Sequence, residues 1–332
     1  MIPGYVPLVV TTRGDVVENV HHGAAAVVDR GGRVLHAVGD PHALVFTRST
    51  LKAFQALPFV LDGGPRALGL SDEQVALTTA SHSGEPFHVA AVDALLARAG
   101  QPPEALQCGC HVPYVYETLG RAPPADARFD ARHHNCSGKH AGFLAACRLH
   151  GEPLADYLAP DSPLQTRIRN RLRDFCGGGP LVPGIDGCSA PNYAMPLDRL
   201  AHAFCRLALG ETPALAALRF AMTRHPDLVS GDARSDLALM QAGGGDWVSK
   251  IGADGVQALG IRSKGIGIAI RIADGDRRAL LAATVEVLQQ LRLVDDVSAT
   301  PLAPYARPAI RNLRGTMTGA VAPLFLLPRV AL

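Results

Sequence analysis

The chain of 332 residues has no basic stripe and no aromatic ladder; aromatic residues are 5% of it, and a formal net charge of +2 comes from dispersed Lys, Arg, Asp and Glu. That excludes the footprint of a nucleic-acid-binding surface, and no nucleic-acid partner is expected. Long apolar runs are missing too, because Gly, Arg, Lys or Asp interrupts each one before the roughly 18 to 20 residues needed to cross a bilayer. No membrane partner is expected. The first residues, Met1-Ile2-Pro3-Gly4-Tyr5-Val6-Pro7, lack a basic segment followed by an apolar one, and Arg13 and Asp15 soon follow. The start therefore does not read as a secretion signal, and a soluble, cytoplasmic protein is the expectation. Seven cysteines, an odd number without an export signal, point to reduced thiols. Cys147 and Cys205 lie in apolar helical patterns and read as small buried hydrophobes. In Cys108-Gly109-Cys110-His111 a single residue separates the thiols, which makes joint chelation awkward and leaves the segment structural.

What is present is a hydrophobic content of 48%, enough for a large core in one large domain or two smaller ones. From residue 7 to 46, β-prone runs alternate with turn signals: Leu8-Val9-Val10, then Ala25-Ala26-Val27-Val28, then Val34-Leu35-His36-Ala37-Val38 after Gly31-Gly32. From about 50 to 240 the text is Ala- and Leu-rich and mostly helical. The run from Ala90 to Arg98, for example, stops at Gly100 and Pro102-Pro103. After Gly243-Gly244-Gly245 the β pattern returns over residues 247–252, 257–261 and 267–272, closed by Asp274-Gly275, and an amphipathic helix follows over 278–293. The Pro-rich segment from Arg121 to Ala127 is a loop inside helical text, not a boundary. There is no internal repeat. The expected architecture is a single catalytic domain, 1–332, of α/β class. An antiparallel sheet from both chain ends, a sheet lobe of 1–48 and 246–332, is flanked by helices and carries a mainly helical lobe of 49–245. The active site is expected in the cleft between lobes.

The densest chemistry lies in Ser49-Thr50-Leu51-Lys52, Ser81-His82-Ser83 and Ser263-Lys264-Gly265. A Ser-x-x-Lys at a helix start puts hydroxyl and amine on neighbouring faces, so the amine can take the proton while the oxygen attacks a carbonyl. The helix dipole favours developing negative charge there. To serve as a base near pH 7, a lysine with a reference pKa near 10.4 must fall by about three units, roughly 4 kcal/mol. Lys52 and Lys264 in one pocket would depress each other. The order Ser-x-x-Lys, Ser-x-Ser, Lys-Gly is that of serine enzymes related to β-lactamases and penicillin-binding proteins, which points to acyl transfer through a covalent serine. The bland alternative for Ser49 and Lys52 is decoration of an exposed first turn; for Ser81 and Ser83 it is a cap for the segment starting at Glu85-Pro86. His82 is a substrate-binding candidate or a hydrogen-bonding structural histidine. No Ser-Asp-Asn or Lys-Thr-Gly is present, which disfavours penicillin chemistry and favours an amidase.

Two further polar clusters each contain a cysteine: His134-Asn135-Cys136-Ser137-Gly138-Lys139-His140 and Asp186-Gly187-Cys188-Ser189. Thiolates from two loops, completed by His or a deprotonated Lys, can bind Zn²⁺. The spacing matches no zinc finger. Cys136 as a lone nucleophile beside His134 or His140, or two thiols that only pack, are the competing readings, and spacing alone does not favour the metal. The full phosphate-loop pattern is absent around Ser137-Gly138-Lys139, and nucleotide binding is rejected.

Arg48-Ser49-Thr50-Leu51-Lys52, Ala80-Ser81-His82-Ser83-Gly84-Glu85, Asn135-Cys136-Ser137-Gly138-Lys139-His140, Asp186-Gly187-Cys188 and Lys264-Gly265 together resemble the asparaginase II family, the rhizobial inducible type often called class 3 L-asparaginases. The resemblance spans almost the whole chain. It implies a serine β-lactamase/glutaminase-like fold, a homodimer, and hydrolysis of L-asparagine to L-aspartate and ammonia. By that similarity Ser49 is the nucleophile with Lys52 as its base, and Ser81 with Lys264 forms a second pair that assists proton transfer. Cys136, Lys139 and Cys188 match the positions that hold zinc, with Asp186 nearby. The substrate's α-carboxylate needs a donor such as Arg48 and its ammonium an acceptor such as Asp186. Arg48 as a helix-start surface cation is the alternative. A glutaminase or other serine amidase or esterase, or a non-catalytic zinc-binding relative, are the rival readings.

Overall fold

The β-prone text at the two chain ends meets in one sheet. The structure, a computed structural model, describes residues 3–330. Met1, Ile2, Ala331 and Leu332, on which part of the reading of the chain start and the outer domain bounds rest, lie outside the described residues. The strands are β1 (Val6–Arg13), β2 (Val16–Asp29), β3 (Val34–Val38), β4 (Leu44–Phe46), β5 (Val182–Ile185), β6 (Pro191–Pro196), β7 (Trp247–Gly252), β8 (Val256–Ile261), β9 (Ile266–Ile272), β10 (Ala309–Arg311) and β11 (Met317–Pro323). The large sheet runs β10-β11-β1-β2-β9-β8-β7, with β3 also on β2, and a small one runs β4-β6-β5. The pairings of the large sheet are antiparallel. This is the expected α/β architecture, with an antiparallel sheet from both chain ends and flanking helices.

The chain divides into two compact units. One comprises Met1–Thr50, Ala194–Leu209 and Gln241–Leu332, and the other Leu51–Tyr193 and Gly210–Met240. Residues 194–209, which fall inside the expected helical lobe, thus belong with the sheet. Their helix, Leu197–Leu209, packs on β2, β8 and β9. The reason lies some sixty residues further along the chain. Gly260 and Gly267 face each other across β8 and β9. A Cβ on Gly260 would stand 2.1 Å from the Phe204 carbonyl oxygen, and one on Gly267 would stand 1.8 Å from that of Ala201. Only glycine lets the helix lie this close to the strands. Gly267→Ala is therefore expected to lower stability by about 1–3 kcal/mol or more through forced displacement of the helix. An unchanged urea midpoint would show that the helix does not depend on that seat. The helix Arg277–Gln290, capped by Asp276 through Ala279 N, also packs on this sheet, against β1, β9 and β11.

In the helical unit, Lys52–Leu61 packs against Ser137–His150, Pro163–Cys176 and Pro213–Arg224. The helix Pro86–Ala99 ends on Gly100 in the left-handed conformation, as its stop signal requires. Glu85, not a serine, is its N-cap residue. Gly138 and Gly142, one helical turn apart, let Ser137–His150 cross Asp72–Thr78 closely; a Cβ on Gly138 would lie 2.4 Å from the Leu77 carbonyl oxygen. That crossing sets the Cys136–Lys139 turn beside the segment leading to Ser81. Among the described residues no helix is long and apolar enough to cross a membrane.

Candidate active site

Lys52 and Ser81 are brought together inside the helical unit. Lys52 begins its helix fully buried and donates from Nζ to the Ser81 hydroxyl at 2.9 Å, to the Ala80 carbonyl at 2.5 Å and to the Asn135 carbonyl at 3.4 Å. Ser81 is fixed in turn by its own N–H, which donates to Val229 O, while Ser83 Oγ donates to Ser230 O. The 80–85 segment is thus stitched on both sides, and its serines are not helix caps.

His82 is held by hydrogen bonds within the protein. Its Nδ1 accepts the backbone N–H of Gly84, so Nε2 carries the proton and donates to Ser137 Oγ, which donates to Arg132 O. Both ring nitrogens are committed within the protein. Burial, followed by the nearby His88 and the charge of Lys52, lowers the His82 pKa well below the usual imidazole range.

The two cysteine loops converge in the same unit. Cys136, Lys139 and Cys188 are buried, and Lys139 Nζ donates to Cys188 Sγ at 3.0 Å. The two thiols share a hydrogen bond that lowers the Cys136 pKa well below the usual thiol value. Burial opposes this, and the charges of Lys52 and Lys139 support it. The same hydrogen bond and then burial push Cys188 up. Burial alone would lower Lys139, but the charges of Cys188, Cys136 and Asp186 outweigh it and hold that amine's pKa up. Asp186 forms the turn that presents Cys188: its carboxylate accepts from Gly187 N and Asn192 Nδ2. His140, one residue after Lys139, is lowered to about 4 by burial. None of the seven cysteines is in a disulfide, and Cys147 and Cys205 are buried as expected.

In the sheet unit, Ser49 is 9% exposed and lies in the single helical turn Arg48–Leu51. Arg48 immediately before it has a φ of 50°, a left-handed conformation that costs a residue with a Cβ about 1 kcal/mol or more. The Arg48 guanidinium is ion-paired with Asp254 in the β7–β8 turn. Asp254 is itself left-handed, with a φ of 55°. Gly252, at the end of β7, closes this packing, since a Cβ there would stand 2.9 Å from the Thr47 carbonyl oxygen. Arg48 is therefore held by a carboxylate rather than being a loose surface cation.

Lys264, expected as the partner of Ser81, lies in the sheet unit. It is exposed in the four-residue turn between β8 and β9, where the neighbouring Ser263 is tied to Asp246 through its N–H and its hydroxyl. The sheet unit holds another lysine, overlooked in the sequence: Lys250 on β7 is 0% exposed and donates to Ile251 O at 2.9 Å. The signal was a single cation in the otherwise uncharged β run Trp247-Val248-Ser249-Lys250-Ile251. A lysine in such a setting is costly unless its charge is compensated or given up.

A family model described as L-asparaginase II matches residues 9–323. No curated protein matches the chain. Among solved structures, the chain is similar to a β-lactamase from Mycobacterium bovis, with 15% identity over 81% of this chain and 94% of that one and a TM-score of 0.33. It is also similar to a protein titled Mglu in its tris and glutamate form, with 15% identity over 83% of this chain and 61% of that one and a TM-score of 0.38. Likeness at that level carries no argument about chemistry.

Proposed function

Because the chain belongs to the L-asparaginase II family, and is thereby an amide-hydrolysing enzyme, we propose that it hydrolyses L-asparagine to L-aspartate and ammonia through a serine acyl-enzyme, in the manner of the class 3 type its motifs resemble. The observation that carries this reading is the buried contact of 2.9 Å between Lys52 Nζ and Ser81 Oγ. It gives a serine hydroxyl an amine with which to exchange a proton, away from bulk water. Ser49, three residues before Lys52 at the start of the same helical run, attacks the carboxamide carbon. Lys52 takes the hydroxyl proton and returns it to the departing ammonia, with Ser81 as the relay. Water then cleaves the ester. Arg48 serves the substrate's carboxylate in exchange with Asp254, and Asp186 serves its ammonium. Lys250, the buried lysine of the sheet unit, is a candidate for the second lysine beside Lys264.

A second reading makes Ser81 the nucleophile, because Ser81 holds the hydrogen bond to Lys52. Ser49→Ala and Ser81→Ala separate the two when ammonia release from asparagine and from glutamine is followed and the acylated peptide is identified by mass spectrometry. Loss of acylation only in Ser49→Ala is expected. An ester on Ser81, or glutamine turnover equal to that of asparagine, would overturn the nucleophile or the substrate respectively.

Zinc belongs to this proposal as well. Among the described residues no group of three or more His, Cys, Asp or Glu is placed to hold a metal ion. A site therefore requires Lys139 beside the two thiols. The donors fit: Cys136 and Cys188 are free, and Lys139 Nζ is already against Cys188 Sγ. Two thiolates and a neutral amine suit a tetrahedral Zn²⁺ with one position open. When bound, the metal supplies a positive charge that ties the 136–139 turn to the 186–188 turn and orients a carboxylate or amide, while the hydroxyl nucleophile remains the protein's own.

A further inference from the structure

The helix Pro163–Cys176 carries an arginine at every second position from 167 to 173, in Arg167-Ile168-Arg169-Asn170-Arg171-Leu172-Arg173. Residues four apart share a face, so Arg167 and Arg171 form one row and Arg169 and Arg173 another. The first row is compensated: Arg167 is ion-paired with Glu152, and Arg171 stands 3.7 Å from Asp174. The second row is not. The Arg169 guanidinium reaches only neutral oxygens, Pro160 O at 3.3 Å and Thr166 Oγ1 at 3.4 Å, and its Nε is buried without a hydrogen-bond acceptor. The Arg173 side chain has no hydrogen bond and no ion pair among the described residues. Like charges four residues apart on a helix repel, and no carboxylate of the described residues offsets that repulsion here.

Both arginines of this second row line a cavity of about 510 Å³ that lies within the helical unit. Its other walls are apolar and include Leu181, Ile185 at the end of β5, Pro191 and the buried Tyr193 of β6. Among the described residues no acidic side chain lines it, and neither does any of the candidate catalytic or metal-binding residues. The volume is that of a small-molecule site, with few polar groups in a mainly apolar lining. We propose that this cavity binds a small organic anion, a carboxylate on an aromatic or branched aliphatic body. Arg169 and Arg173 take the carboxylate, which a guanidinium fork matches in shape and charge. The body lies against Ile185 and Tyr193, where it removes apolar surface from water that a bare inorganic ion would leave exposed. A second cavity with two arginines, Arg277 and Arg278, measures about 310 Å³ in the sheet unit. It differs in that Arg278 is already paired with Asp276.

The test uses the full chain with ¹³C in its isoleucine δ1 methyls and 3-phenylpropionate as the probe. The Ile185 methyl signal is identified through Ile185→Val. A saturable shift of that methyl is expected, with the neutral analogue 3-phenylpropanol binding about tenfold more weakly or worse, the scale of a lost charge-assisted hydrogen bond. Arg169→Gln and Arg173→Gln combined are expected to weaken the probe by a similar factor. They should not lower the urea midpoint, because an uncompensated pair of like charges is removed. Equal binding of the alcohol and the carboxylate, or an Ile185 methyl that stays put up to about 10 mM probe, would overturn the proposal in the unmodified protein, without any variant having to fold. Shifts confined to other isoleucines would place the probe elsewhere and refute the site. An Ile185 methyl that moves on protein dilution and not with the probe would assign the cavity to a second copy of the chain, which also refutes it.

Discussion

Replacing Lys52 by Met lowers ammonia release from asparagine by about 10²–10⁴-fold per folded molecule, the range lost when a positioned proton-transfer group is removed. The amine is the group that reaches the Ser81 hydroxyl, at 2.9 Å, and a thioether neither accepts nor returns the proton. The same substitution also disturbs the fold. Ala80 O and Ser81 Oγ lose the Lys52 donor, while Asn135 O keeps the N–H of His82. A buried acceptor left without a partner costs about 1–3 kcal/mol. Relief from burying a cation offsets part of that. Activity must therefore be normalised to the folded fraction, which denaturant unfolding provides. Lys52→Arg separates the two roles further, because a guanidinium keeps its donors but does not give up its proton. It is expected to recover stability without recovering turnover. Activity within tenfold of the parent per folded molecule, in either variant, would reduce Lys52 to a scaffold residue.

Much of this arrangement was legible in the sequence, and the parts that were not share a physical cause. The β8–β9 hairpin, the Gly100 stop and the helix after Asp276 each follow from local chemistry: alternation, a left-handed glycine, a capping carboxylate. The helix Leu197–Leu209 was equally visible as a helix. Its partner was not, since amphipathic text says that a face is buried but not against what. The seat is the cross-strand pair Gly260 and Gly267, whose meaning appears only once β8 and β9 are in register. Strands β10 and β11 escaped notice because β10 is three residues long and β11 is half-buried text ending in Pro323. Among the candidate site residues, Ser49, Lys52 and Ser81 were legible by motif. The meeting of Cys136 with Cys188 was legible through the family resemblance and not through spacing, because it depends on Gly138 letting one helix cross another at close range. Lys264 was legible only through a Lys-Gly dipeptide. Such a dipeptide is also ordinary turn text, and here it is a turn.

Lys250→Met and Lys264→Met are accordingly expected to part company. Lys264 is exposed in a hairpin turn. Replacing it is expected to leave stability within about 0.5 kcal/mol, the usual range for a surface substitution, and turnover close to the parent. Lys250 stands in β7 between Ser249 and Ile251, with buried residues on both faces of the strand. A cation there cannot be an accident of solvation, because the desolvation of an ammonium costs several kcal/mol. If the amine serves proton transfer, Met in its place removes about 10²–10⁴-fold of turnover, and the apolar side chain of similar length makes the protein as stable as before or more so. If the amine serves only the fold, stability falls and turnover per folded molecule does not. Thermal unfolding and steady-state ammonia release on the same preparations distinguish these outcomes. A turnover loss confined to Lys264→Met would instead return that exposed turn to the catalytic apparatus and refute the assignment to Lys250.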